Sequence, residues 1–145
     1  EQAASVGVLF NATQAENRKA ALKYADQLKK RRKKVHILGY FEHKLLPEAQ
    51  MDFPYFTPKE VSWTLRPRGE AVDFFLRQEF DIFVHLNPTT SLHSEYIAAL
   101  ANAFLKVGPA TEATYCYDLM IDLQKDAGIP AFIREMEALL KMTNN

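Results

Sequence analysis

Apolar positions in this chain fall into two kinds of run. "SVGVLF" (5–10), "KVHILGY" (34–40) and "FDIFVHL" (80–86) are short, rich in branched and aromatic residues and bounded by polar ones, the pattern of strands buried on both faces. Between them the apolar residues recur at helical spacing. Residues 15–32 place Ala21, Leu22, Ala25 and Leu28 on one stripe, and residues 68–79 do the same with Val72, Phe75 and Leu76. Residues 92–104 align Tyr96, Ile97, Leu100 and Phe104, and residues 129–142 align Phe132, Ile133, Met136, Leu139 and Leu140. "FLKVGPA" and "YCYDLMIDL" supply a fourth and a fifth strand, and a short strand is compatible with residues 61–65.

Strands separated by amphipathic helices require parallel pairing through crossovers, since a tight turn cannot join parallel neighbours. The expectation is an α/β fold: a three-layer, doubly wound, mostly parallel five-stranded sheet of the flavodoxin-like order 2-1-3-4-5, forming a single domain over residues 1–145. Two stretches echo one another. "FDIFVHLN" and "YDLMIDLQ" share an aromatic residue, an aspartate, alternating apolar positions and an amide. Buried strands that begin with a polar cap account for that echo.

In such a sheet ligands gather at the carboxyl ends of the strands, where adjacent crossovers leave to opposite faces. This points to Asn11, Ala12 and Thr13 after the first strand, and to Asn87, Thr89, Thr90, Ser91 and His93 after the third. Capping explains part of the pattern. Ser91 or Thr90 suits the N-cap of the following helix, Asn11 and Thr13 could cap theirs, and Glu16 and Glu95 complement the helix dipoles. The same glutamates oppose a phosphate.

Other chemistries lack their residues. No glycine-rich phosphate loop occurs, and asparagines stand where a magnesium-dependent receiver needs carboxylates. The four histidines and Cys116 show no metal-ligand or triad spacing, so neither a catalytic residue, a metal nor a cofactor is expected. His36 and His85 lie inside strands as core histidines, whereas His43 and His93 follow strand ends. The irregular segment 41–60 carries Phe53, Tyr55 and Phe56, with Trp63 just beyond, either as rigid anchors for a partner or as a lid folded back on the core.

Composition narrows the picture further. The 145 residues carry no net charge and are 48% apolar, which suits a soluble, cytoplasmic protein and argues against one built to coat nucleic acid. One run, "KKRRKK" at Lys29–Lys34, makes the first fifty residues basic, with ten Lys and Arg against five Asp and Glu. Helix termination explains it as well as RNA binding does. No apolar run is long enough to span a bilayer. A start at Glu1 leaves room for upstream sequence, and a homodimer stays open.

"VGVLFNAT", "VHILGYF", "FPYFT", "FDIFVHLN" and "IAALANAFLKVGP", in this order, resemble an uncharacterised family of bacterial cytosolic proteins known only as a domain of unknown function. That resemblance covers Val6 to Leu123 and implies an α/β domain without a known activity. "FDIFVHLN", "SLHSEYIAALANAF" and "LKVGP" are also similar to the amino-terminal half of heptosyltransferase-like glycosyltransferases. Together the readings favour a non-catalytic domain that binds a small ligand or a protein at the strand carboxyl edge. The alternatives are an enzyme on a sugar or nucleotide, with Asn87, Thr89 and Ser91 as contacts and His93 as acid/base, and an RNA binder using the basic run.

Overall fold

The computed structural model describes residues 4–42, 51–58, 67–112, 116–124 and 127–143. Chain order is β1 (Ser5–Asn11), α1 (Ala15–Lys30), β2 (Lys34–Tyr40), β3 (Tyr55–Phe56), α2 (Glu70–Leu76), β4 (Glu79–His85), α3 (Leu92–Leu100), β5 (Asn102–Pro109), β6 (Leu119–Ile121) and α4 (Ile129–Thr143). The strands form one sheet in the order β3-β2-β1-β4-β5-β6, with every pairing parallel.

The sheet therefore has six strands, not five, and its order differs from 2-1-3-4-5 by an extra edge strand outside β2. That strand is the Tyr55–Phe56 pair, which register places beside Gly39 and Tyr40. A two-residue strand has no periodicity of its own, so only pairing reveals it. The short strand expected over 61–65 lies outside the described residues.

Alternation along the strands sorts side chains into two cores. Val6, Val8 and Phe10 of β1 and Val84 and Leu86 on and after β4 pack with Ala21, Tyr24 and Leu28 of α1 and Ile129, Phe132 and Met136 of α4. On the other face Leu9, Leu38 and Phe83 meet Val72 and Phe75 of α2 and Ile97 and Ala98 of α3. Helices thus cover both faces. Between α1 and α4 the Tyr24 hydroxyl donates to Glu137 Oε2 at 2.6 Å, and Arg31 Nη1 approaches the same oxygen at 3.4 Å. Burial first, and then that carboxylate, push the Tyr24 phenol far above its ordinary pKa.

The expected helix over 92–104 is corrected. α3 stops at Leu100, Ala101 turns extended, and Asn102 begins a strand paired with Glu79. Leu100 is consequently 51% exposed and Phe104 92% exposed, so neither belongs to a buried stripe. Their spacing fits a helix, but β4 pairs in parallel with Asn102, Ala103 and Leu105 to Val107, and pairing overrides local preference.

The basic run closes α1. Arg32 adopts φ 64, its N–H donates to the Lys29 carbonyl at 2.9 Å, and the Lys33 N–H donates to the Leu28 carbonyl at 3.1 Å. These two bonds are the Schellman arrangement, which satisfies the last carbonyls while the cations complement the negative helix end.

The sequence echo corresponds to a repeated packing device. Asp81 Oδ2 accepts from the N–H groups of Ala4 and Ser5 at 2.7 and 3.0 Å, and Asp118 Oδ2 accepts from the Lys106 N–H at 2.8 Å. Each aspartate thereby ties its strand to the preceding parallel neighbour. The aromatic residue before each one lies over a glycine of that neighbour, Phe80 over Gly7 and Tyr117 over Gly108. A Cβ on Gly7 would stand 2.6 Å from the Phe80 ring, and one on Gly108 would overlap the Tyr117 ring. Gly7→Ala and Gly108→Ala should each lower stability by about 1–3 kcal/mol through overpacking. Urea denaturation measures this, and an unchanged midpoint would refute the ring-on-glycine contact.

Candidate functional site

The β1 and β4 tips lie side by side, with Leu9 opposite His85. A cleft of about 460 Å³ opens beyond them, walled by Asn11, Thr13, Asn87, Pro88 and Thr89. Gln14, Glu16 and Asn17 at the start of α1, Glu42 after β2 and Ala127 and Gly128 before α4 complete it. Four residues named from sequence, Asn11, Thr13, Asn87 and Thr89, therefore share one cavity. Thr90, Ser91 and His93 do not reach it.

Local bonds shape these walls. Asn11 Oδ1 accepts from the Thr13 N–H at 3.0 Å, its Nδ2 donates to Glu42 Oε2 at 2.9 Å, and Thr13 Oγ1 accepts from the Glu42 N–H at 3.0 Å. Asn11 and Thr13 thus fasten two loops together instead of capping α1, whose N-cap Gln14 makes no side-chain cap bond. Asn87 Nδ2 donates to the carbonyl and hydroxyl of Thr89 at 2.8 and 3.2 Å, folding its own turn.

Ser91 does cap α3. Its Oγ accepts from the Ser94 N–H at 3.2 Å, and Ser94 Oγ accepts from the Ser91 N–H at 2.9 Å, a reciprocal capping box. Thr90 Oγ1 lies 3.0 Å from Ser94 Oγ and 3.4 Å from the Tyr117 hydroxyl. That chain runs on into the core. The His85 ring, with no exposed surface, is flanked by the Tyr117 hydroxyl at Nδ1, 3.1 Å, and the Tyr40 hydroxyl at Nε2, 3.2 Å. A neutral imidazole has one donor and one acceptor, so one tyrosine donates to it and the other accepts. Burial lowers the His85 pKa to about 3 and raises both phenols far above their usual range.

Ser91 and His93 line a second pocket of about 200 Å³ with Tyr40, Phe41, Phe56 and Pro58; Glu42 and Thr57 complete its wall. The enzyme reading placed Asn87, Thr89, Ser91 and His93 around one substrate, whereas the structure divides them between two cavities. His43 and Trp63 lie outside the described residues.

Of the aromatic loop residues, Phe53 and Phe56 fold back on the core. Phe53 is 7% and Phe56 2% exposed, and Tyr55 is half-buried. Phe53 packs between Phe10 and Phe41 at centroid distances of 5.5 and 6.4 Å, and Phe56 stacks on Tyr40 at 5.7 Å. Their apolar area is covered because β3 docks on β2. Among wall residues, sequence reasoning missed Glu42, although it follows the carboxyl end of β2 and the strand-end rule would have reached it. Gln14, Asn17 and the Ala127–Gly128 pair carried no signal beyond ordinary helix starts.

Among the described residues no three His, Cys, Asp or Glu side chains converge as a metal site, and no helix is long and apolar enough to cross a membrane. Cys116 is buried.

Fold and cleft define a class: a three-layer parallel α/β domain with an open polar notch over its central strand tips. The chain belongs to a family of unknown function, DUF6913, whose model matches residues 1–143. No curated protein and no solved structure matches it.

Two outcomes follow from these contacts. Phe56→Ala should destabilise the fold by about 3–5 kcal/mol, as for a core phenylalanine, lowering the melting temperature; an unchanged value would return Phe56 to the surface. The second concerns pH. Above pH 6.5 His85 is neutral in both folded and unfolded chains, so it adds no pH dependence. Between pH 6.5 and about 3 the unfolded chain takes up a proton that the folded chain refuses, so stability falls as pH falls. The slope approaches a factor of about ten in the folding equilibrium per pH unit. His36, whose pKa is lowered by burial and by Lys34, acts in the same direction. Urea titrations at pH 7, 6 and 5 should show a shallower dependence in His85→Gln, and equal slopes would contradict the assignment.

Proposed function

We propose that this chain is a non-catalytic cytoplasmic domain that binds a small, hydroxyl-rich ligand, a polyol or sugar with or without an amine, in the cleft over β1 and β4. One observation carries this reading: the described cleft walls combine four amides, two threonines and two glutamates with no cationic side chain. Planar amides and carboxylates pair with adjacent hydroxyls through two parallel hydrogen bonds, and a carboxylate also accepts from an ammonium. A phosphate would face Glu16 and Glu42 with no lysine or arginine among the described wall residues to offset them. The volume, about 460 Å³, falls within the roughly 300–1,000 Å³ of small-molecule sites.

The RNA alternative finds less support. Arg31 is engaged with Glu137, the run serves the α1 terminus, and it lies at the amino edge of the sheet, opposite the cleft.

Thermal unfolding with millimolar monosaccharides, amino sugars and inositols tests the reading. At least one should raise the melting temperature, Asn17→Ala should remove the increment, and the 6-phosphate of the same sugar should bind more weakly than its parent. No increment with any of them, or a preference for the phosphate, would end the proposal.

A further inference from the structure

The polar cleft has a neighbour of opposite character, and Glu42 is a wall of both. On the far side of Glu42, Tyr40, Phe41, Phe56 and Pro58 enclose about 200 Å³. Its floor is rigid: Tyr40 and Phe56 stack at 5.7 Å with 25° between planes, and the Tyr40 hydroxyl is held by buried His85. The Ser91 hydroxyl in its wall is engaged in the α3 capping box. What this pocket offers a ligand is therefore mainly apolar: Pro58 and the small exposed edges of the otherwise buried Tyr40, Phe41 and Phe56.

Two further facts bear on how the cavities relate. First, about 200 Å³ is below the roughly 300–1,000 Å³ of complete small-molecule sites, so the pocket suits a substituent better than a whole ligand. Second, the partition is a single residue held in place. Glu42 is exposed between the two cavities, while the Thr13 hydroxyl holds its N–H at 3.0 Å and the Asn11 amide holds its carboxylate at 2.9 Å.

Resting on the polyol reading above, we infer that the cleft and the pocket are two subsites of one site, and that its ligand is a polyol carrying a compact aromatic substituent. The hydroxyls occupy the cleft and the ring enters the pocket, with Glu42 between them. Burying one ring against aromatic surface strengthens binding about tenfold or more over the unsubstituted polyol.

Paired methyl and phenyl glycosides of glucose, galactose and mannose test this with the intact chain, by calorimetry and by NMR titration. At least one phenyl glycoside should bind about tenfold or more tighter than its methyl counterpart, with shifts at His93 and in the Tyr40 and Phe56 ring signals that the methyl glycoside does not produce. Equal affinities with shifts confined to the cleft residues would overturn the two-subsite inference and leave the polyol reading standing. Tighter phenyl binding without shifts at His93 would also overturn it. Absence of shifts at Asn17 and Asn87 with every glycoside would overturn both.

Discussion

A neutral histidine at the centre of the sheet holds the carboxyl edge together. His85 sits in β4 with no exposed surface and bridges Tyr40 at the end of β2 to Tyr117 just before β6. From Tyr117 the hydroxyl chain passes through Thr90 and Ser94 to Ser91, so the α3 terminus is tied to three strand ends at once. An uncharged ring is what such a position tolerates, because an imidazolium there would lack both solvation and a counter-charge. Each hydroxyl in the chain has a partner, so the network adds directional order without leaving a buried group unmet. The walls of both cavities hang from these anchored tips.

The same logic operates lower in the sheet with different chemistry. Asp81 and Asp118 each receive the N–H of an adjoining parallel strand, and Phe80 and Tyr117 each lie over a glycine two residues further along that strand. A carboxylate accepting backbone N–H groups stabilises its charged form, which is why the Asp81 carboxyl is held below its ordinary range. Tyr117 belongs to both systems. Its ring is seated by Gly108 and its hydroxyl is seated by His85, so packing at the β5–β6 junction and polar order at the sheet edge are mechanically one feature.

Much of this was readable from residue order. Unbroken apolar runs marked β1, β2 and β4 because both faces of a parallel sheet are buried, and the α4 stripe of Phe132, Ile133, Met136, Leu139 and Leu140 packs as its spacing implies. Asn11, Thr13, Asn87 and Thr89 meet in one cleft because strand-end geometry follows from parallel topology alone. What escaped depended on partners distant in sequence. Phe104 has helical spacing from Leu100, and only the pairing of its neighbours Ala103 and Leu105 with β4 decides that it is in a strand. Phe53 and Phe56 look like surface anchors until β3 docks on β2, and Asn11 looks like a cap until Glu42 arrives to receive its amide. Ser91 and His93 follow the same strand end as Asn87, yet they line the aromatic pocket, with Ser91 held in the capping box.

Charge decides what the open notch can hold. The start of α1 has no side-chain cap, and bare N–H groups at a helix terminus would ordinarily invite an anion. Here Glu16 occupies the first turn and Glu42 stands across the cleft, so the positive end of the dipole already faces negative charge. The basic run is grouped at the opposite end of α1, where it complements the helix carbonyls, and Arg18 near the cleft end gives its guanidinium to the Ala12 carbonyl at 2.7 Å. One helix thus separates the chain's strongest positive cluster from its cleft by its whole length. Amides and hydroxyls, which neither repel nor demand charge, are left as the groups through which the proposed ligand would be chosen.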